Sequence, residues 1–361
     1  MNTHKIKNVS WPVRWAMAVV LYVSLLPCGL LQAQESKASN IDSGEQRLSV
    51  SRLQKWESLG YGMFIHFGMS TFDEAEMSKG DMPSTYYAPE KLDVEQWIRT
   101  AHDAGMKYAI LTTKHVSGHC LWPSKYTDYD VETSGNKTDV VKAFVEACRK
   151  YDIVPGFYYC SWDNHHLMGS KTPSMVAWDD AYTTSEYQEF QTKQLEELLT
   201  QYGKISEIWI DIPGVLTRDY RNKLYKQIVE WQPDIVVVMN NGTGDGSKLK
   251  IDYTWPTDVV TLERYVPNSH TNHVKWREVE GATYYLPGEV CDPIGKEWFY
   301  VEGDVPRPDA ELLGMYLLTR SRGANLLLNV PPDKDGVIPD MYVQALMRLR
   351  DNLRKLNMEG M

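Results

Sequence analysis

The chain has 361 residues, 43% of them hydrophobic and 24% charged, an ordinary globular composition with enough length for one large domain. A formal net charge of −10 without any basic cluster argues against a nucleic-acid partner. Twelve Trp and 22 Tyr are many for this length; such an excess often lines sugar-binding or other flat apolar sites, although most tryptophans are core.

Residues 1–33 read as a secretory signal peptide. Lys5, Lys7 and Arg14 form a basic leader, Ala16 to Leu31 is apolar, and Leu31-Gln32-Ala33 offers a small residue for cleavage. The run is short for a stable membrane span, so a secreted or periplasmic location is expected, with no span left after cleavage. Cys28 lies near a lipoprotein-type cleavage site, but Pro27 before it fits that pattern poorly. Residues 34–46 are polar and read as a linker, leaving 47–361 as one domain. Its four cysteines, Cys120, Cys148, Cys160 and Cys291, lack metal-ligand spacing and read as free and buried, although an exported chain leaves a bridge open.

From residue 60 onward short β-branched and aromatic runs alternate with helical patterns. Strands are predicted at Met63–Phe67, Tyr108–Thr112, Val154–Cys160, Ile205–Asp211 and Ile235–Met239. Helices are predicted at Val94–Gly105, Val140–Tyr151, Ser185–Tyr202 and Tyr220–Trp231. Residues 240–300 look irregular. The chain closes with a helix at Ala310–Ser321, a strand at Asn325–Val330 and a helix at Met341–Leu356. Repeated strand-then-helix units imply a parallel sheet. No dinucleotide-type glycine turn follows the first strand, so a (β/α)8-like TIM barrel with degenerate later units fits better than an open doubly wound sheet.

Glu207-Ile-Trp-Ile-Asp211 is a buried-strand pattern ending on a carboxylate, stopped by Pro213 and Gly214. A strand-end carboxylate in such a barrel points to the active-site rim, because burying it unpaired is costly. The bland alternative is an Asp capping the next loop. Other polar groups also follow predicted strand ends: His66 after the first, Lys114, His115 and His119 after the second, Trp162, Asp163, His165 and His166 after the third. A lone histidine there is more often satisfied core; several at successive strand ends favour a functional rim. A zinc reading of His115-x3-His119 competes, but the intervening Val-Ser-Gly reads as loop. Neither a metal nor an organic cofactor is therefore expected.

These segments also carry a resemblance. Trp56-x5-Gly-Met-Phe-Ile-His-Phe-Gly68, Leu111-Thr-Thr-Lys-His115 with Cys120-Leu-Trp-Pro-Ser124, Asp139-Val-Val-Lys142, Glu207-Ile-Trp-Ile-Asp211, Gly288-Glu-Val-Cys-Asp-Pro-Ile294 with Trp298-Phe-Tyr300, and Asn325-Leu-Leu-Leu-Asn-Val-Pro-Pro332 occur in the order found in the α-L-fucosidases, glycoside hydrolase family twenty-nine. The chain resembles that family from Trp56 to the last helix, and the Asn-Leu-Leu-Leu-Asn-Val-Pro-Pro form resembles the branch that favours branched, Lewis-type fucosides.

The resemblance implies an exo-acting, retaining α-L-fucosidase acting on terminal α-linked fucose of an oligosaccharide or glycoconjugate. Retention uses two carboxyls about 5–5.5 Å apart. Asp211 matches the family nucleophile. Glu263, in Thr261-Leu-Glu-Arg-Tyr265, is the first choice for acid/base, with Glu289 and then Glu280 as alternatives; a surface ion pair of Glu263 with Arg264 or a nearby Lys is the competing reading. His66, Glu76, His115 and Trp209 match sugar contacts; Tyr159, Trp162, His119 and Glu289 are further candidates.

Three positions depart from the family: His115-Val116-Ser117 replaces a His-His-Asp-like run, Glu76-Met77 replaces Glu-Trp, and Asn240-Asn241-Gly242 stands where an Arg is usual. They leave open a related glycosidase for an α-galactoside or substituted fucoside, or a sugar-binding barrel without catalysis. The family's C-terminal β-sandwich is not expected, since the motifs run out at the barrel's final helix.

Overall fold

The computed structural model describes residues 44–171, 183–242, 248–267 and 272–358. The expected signal peptide, including Cys28, lies outside the described residues, as does the linker up to residue 43. Among the described residues no helix is long and apolar enough to cross a membrane.

Eight parallel strands form one sheet. They are β1 (Tyr61–Ile65), β2 (Tyr108–Lys114), β3 (Val154–Cys160), β4 (Glu207–Asp211), β5 (Val236–Met239), β6 (Val260–Glu263), β9 (Gly288–Pro293) and β10 (Ala324–Asn329), with β7 (Trp276–Val279) and β8 (Ala282–Tyr285) pairing separately as an antiparallel hairpin. The order β5-β4-β3-β2-β1-β10-β9-β6 runs once around a (β/α)8-type barrel. Helices follow most strands: a short α2 (Met69–Asp73) and then α3 (Val94–Asp103), α4 (Val140–Lys150), α5 (Ser185–Gln201), α6 (Arg218–Trp231), a short α7 (Lys248–Thr254), α8 (Asp309–Ser321) and α9 (Asp340–Lys355). The sixth unit is degenerate, because the described residues between β6 and β9 carry the β7–β8 hairpin in place of a helix.

Local chemistry sets the helix starts. The side chains of Asp93, Asp139, Thr184 and Thr217 accept from a main-chain N–H in the first turns of α3, α4, α5 and α6. In α4, Val140, Phe144 and Cys148 are buried at four-residue intervals, giving the apolar stripe that packs on the sheet.

Strand alternation then divides the core in two. Met63, Ile65, Leu111, Phe157, Tyr159, Ile208, Ile210, Leu262 and Val290 face outward into the helix layer. Phe64, Tyr108, Ile110, Tyr158, Trp209, Val238, Cys291 and Leu327 fill the barrel, whose lower end is plugged by Leu53 and Trp56 of α1 (Val50–Glu57). Gly62 belongs to the inner set; a Cβ there would stand 2.5 Å from the Tyr108 ring, so its bare backbone makes room for that ring.

The seam between β5 and β6 is closed differently from the others. Asp258 N donates to Val237 O at 2.8 Å, and the remaining bonds come from side chains. Val237 N donates to Asp258 Oδ2 at 2.9 Å and Met239 N to Thr257 Oγ1 at 3.1 Å. Thr261 N donates to Asn241 Oδ1 at 2.8 Å, and Asn241 Nδ2 to Thr261 O at 2.9 Å. Residues 240–300, irregular by sequence, thus supply two barrel strands, β6 and β9. Cys120, Cys148, Cys160 and Cys291 are free and buried.

Candidate active site

A small pocket, open to solvent, lies at the C-terminal ends of the strands. Its lining includes Phe64, His66, Glu76, His115, Tyr158, Trp209, Asp211, Asn240, Glu263 and Trp298. Asp211 and Glu263 are the last residues of β4 and β6. Glu207, Trp209 and Asp211 alternate along β4, so all three face the barrel interior, with Asp211 uppermost.

Asp211 is held from two sides. Tyr158 Oη donates to its Oδ2 at 2.6 Å, and Asn240 Nδ2 donates to its Oδ1 at 2.7 Å. The same Asn240 nitrogen lies 3.1 Å from Glu263 Oε2. Those two carboxylate oxygens therefore cannot be further apart than the two legs laid end to end, about 5.8 Å. Asn240 is itself fixed: its Oδ1 accepts from Thr261 Oγ1 and from Gly242 N, both at 2.8 Å. That pattern assigns the amide orientation.

Two histidines stand across the pocket. Asn329 Nδ2 donates to Trp298 O at 2.7 Å, so its Oδ1, 2.8 Å from His66 Nδ1, must accept. His66 therefore donates through Nδ1 and keeps Nε2 as an acceptor. Burial pushes the His66 imidazolium down to about 3, against the opposing hydrogen bond to Asn329, so the ring is neutral. His115 is also held well below the usual imidazole range by burial, then by His66. Its ring stacks on Tyr158 at 5.6 Å, and its buried Nδ1 has no protein partner. Burial raises the Glu76 carboxyl; nearby Arg264 opposes that, while Glu263 and Asp211 add to it. Arg264 lies over the Trp298 ring at 5.0 Å, 3.6 Å from Asp292. Three carboxyls thus share a small pocket with neutral imidazoles and one guanidinium near its edge, a field that favours developing positive charge on a bound ligand.

The residues picked from sequence divide clearly. His66, Glu76, His115, Trp209, Asp211 and Glu263 come together in this pocket. Glu263 ends a strand, not a loop, and the Arg264 guanidinium goes to Asp292 and to Lys296 O.

Tyr159 does not line the pocket; its hydroxyl donates to Gln194 Oε1 at 2.8 Å on the helix side, and Lys114 Nζ sits over its ring at 4.4 Å. The neighbouring Tyr158 occupies the inward position, since β3 pairs Tyr158 with Trp209. His119 turns away to Ser134 Oγ at 2.8 Å and to the Tyr87 ring, so it and His115 do not converge. Trp162 donates to Asn164 Oδ1 at 2.6 Å outside the pocket. Glu280 lies beyond β7, in an ion pair with Arg218 at 2.8 Å. Glu289 is buried lower in the barrel, bonded to Tyr108 and Trp209. Tyr158, Asn240 and Trp298 are lining residues that sequence reading did not assign. Of the departures from the family pattern only Asn240 lines the pocket, since Val116 and Ser117 are buried elsewhere and Met77 is exposed.

A (β/α)8 barrel with paired carboxylates at its C-terminal rim defines the class of protein. The Alpha-L-fucosidase family profile matches residues 81–357, and the chain belongs to that family. It is 31% identical over 314 residues to Alpha-L-fucosidase 1 of Arabidopsis thaliana, covering 83% of this chain and 59% of that protein. Its fold matches Alpha-L-fucosidase isoenzyme 1 of Paenibacillus thiaminolyticus with a TM-score of 0.69 at 25% identity, covering 84% of this chain and 75% of that one. A glycoside hydrolase 29 family member from an unknown rumen bacterium matches with a TM-score of 0.67 at 27% identity, over 83% of this chain and 56% of that one. The chain spans less than two thirds of the length of the plant relatives it matches.

Proposed function

We propose that this protein is an exo-acting α-L-fucosidase that releases terminal α-linked L-fucose from oligosaccharides or glycoconjugates with retention of configuration. Asp211 attacks the anomeric carbon to form a glycosyl ester, while Glu263 protonates the departing oxygen. Glu263 then removes a proton from the water that hydrolyses the ester. The observation that carries this reading is the Asn240 side chain bonded to both carboxylates. It holds their facing oxygens within about 5.8 Å of each other, a spacing that suits the roughly 5–5.5 Å of a retaining pair better than the roughly 6.5–9.5 Å at which an inverting enzyme seats its water. His66 Nε2 is the acceptor left for a ring hydroxyl, the His115 ring borders the same pocket, and Trp209 supplies an apolar face for the sugar. The N-terminal composition supports export to the periplasm or the exterior, which N-terminal sequencing of the mature protein checks.

The test is hydrolysis of 4-nitrophenyl α-L-fucoside, with the first-formed anomer identified by NMR and Asp211 trapped by a 2-fluoro fucosyl substrate. Label on another residue, or an inverted first product, defeats the mechanism. The Asn240 departure motivates a second reading, a retaining glycosidase for another sugar; a panel of aryl glycosides, with the α-galactoside included, separates the two.

A further inference from the structure

Beneath the pocket the barrel encloses a second pair of carboxyls that the chemistry above does not use. Glu207 opens β4 and Glu289 is the second residue of β9; both are essentially inaccessible to solvent. Trp56 Nε1 donates to Glu207 Oε2 at 2.6 Å, and Tyr108 Oη donates to Glu289 Oε1 at 2.6 Å. The Trp209 indole N–H is shared, 2.9 Å from Glu207 Oε1 and 2.9 Å from Glu289 Oε2. Two carboxylate oxygens bonded to one indole hydrogen cannot be more than about 5.8 Å apart, and ionised carboxylates only accept, so two negative charges this close in the barrel interior favour a proton held by the pair.

The donors around the pair are neutral. Of the ionisable groups packed nearby, Tyr108 comes from β2, Cys291 from β9 and Arg320 from α8. Arg320 Nη1 bonds Ala324 O and Asn325 Oδ1. Glu57 of α1 pairs with Lys275 and accepts from Tyr285 Oη. Burial pushes both carboxyls upward, that of Glu289 to about 7, and mutual repulsion adds to the rise at Glu207. A buried pair cannot readily hold two negative charges when neutral donors alone solvate it.

We propose that Glu207 and Glu289 share one proton and act as positioning residues: together they grip the Trp209 N–H, fixing the ring that floors the pocket, and sugar affinity falls when that proton leaves. Gly62 supports the arrangement, since its missing side chain admits the Tyr108 ring that reaches Glu289. The affinity half of the proposal rests on the sugar-site reading; the shared proton does not.

Two measurements on the full chain test it. Infrared difference spectra between wild type and Glu207→Gln, taken near pH 6, read the carbonyl stretch of a protonated carboxylic acid. The wild type carries that band and loses it as pH rises above neutrality; in Glu207→Gln an amide N–H stands in for the proton and the band is gone. Absence of any such wild-type band overturns the shared proton, and the wild-type titration alone decides this if the variant does not fold.

Calorimetry with free L-fucose gives the second readout. Wild-type Kd rises roughly tenfold between about pH 6 and pH 8.5, the linkage of a single proton, while Glu207→Gln stays within about twofold. Superimposable profiles overturn the positioning role. Fucose failing to bind at every pH sinks the sugar-site reading instead, and leaves the infrared result standing on its own.

Discussion

Tyr158→Phe isolates one interaction at the proposed nucleophile. The phenol oxygen lies 2.6 Å from Asp211 Oδ2, the length of a charge-assisted O–H···O⁻ bond. The ring is held independently, stacked on His115 at 5.6 Å and edge-on to His66 at 5.5 Å and Phe64 at 5.8 Å. Phenylalanine keeps these contacts and removes only the donor. Losing a hydrogen bond to a charged group costs about 1.5–3 kcal/mol, or one to two factors of ten in rate if expressed at the transition state. Asp211 would keep the Asn240 bond but lose one of its two restraints, so the loss belongs in kcat. The expected result with 4-nitrophenyl fucoside is kcat lower by about ten- to a hundredfold, KM within about threefold and an unchanged melting temperature. A variant with wild-type kcat, or one impaired in KM alone, refutes the reasoning that this hydroxyl aims the carboxylate.

Asp211→Asn should remove turnover by at least about a thousandfold while the chain still folds, since the amide oxygen accepts from Tyr158 although its NH2 then faces the Asn240 donor; residual activity above a few per cent argues for another nucleophile. Glu263→Ala should spare 4-nitrophenyl fucoside far more than a disaccharide, because nitrophenolate departs without a proton, and azide should restore the rate as fucosyl azide of retained configuration. Lys114 and Asp163 form an ion pair at 2.5 Å with both side chains fully buried. Lys114→Met removes the ammonium partner and leaves Asp163 with only its bonds from the His165 and His166 N–H groups and the His166 ring; it should destabilise by about 3 kcal/mol in urea unfolding, whereas a loss below about 1 kcal/mol shows that the pair is dispensable. Burial holds His119 down to about 3. A depressed imidazole takes up protons in the unfolded chain first, so its contribution is intact above about 6.5 and lost as pH falls toward 3. His119→Gln should therefore gain on wild type by about 2 kcal/mol between pH 7.5 and pH 5, and a gap that does not change with pH contradicts the assignment.

Much of the barrel was readable because most of its units combine a β-branched or aromatic run with an amphipathic helix. β6 and β9 escaped for a physical reason. β6 has only four residues and no helix behind it among the described residues, so neither period could build up. The rim residues Asp211, His66 and His115 were legible as polar groups at strand ends. Tyr159 was preferred over Tyr158 although a one-residue step reverses the face of a strand; aligning β3 with Trp209 and Asp211 by inward parity would have selected Tyr158. Asn240 read as a missing arginine, since nothing in a single sequence tells that its amide touches two carboxylates 29 and 23 residues away. Glu289 was the second choice for acid/base; the structure sets it in the barrel floor, bonded to Tyr108 and Trp209.

The β5–β6 seam has a mechanical consequence. Asp211 belongs to a wall running unbroken through main-chain ladders from β5 to β1, whereas Glu263 sits just across the one junction stitched mostly by side chains. Exchanging Thr257, Asn241 or Thr261 would thus act like turning a set screw, altering the gap between Asp211 and Glu263 while the rest of the cylinder keeps its shape. Substitution at these inconspicuous threonines and asparagines would move one carboxylate relative to the other without rebuilding either wall.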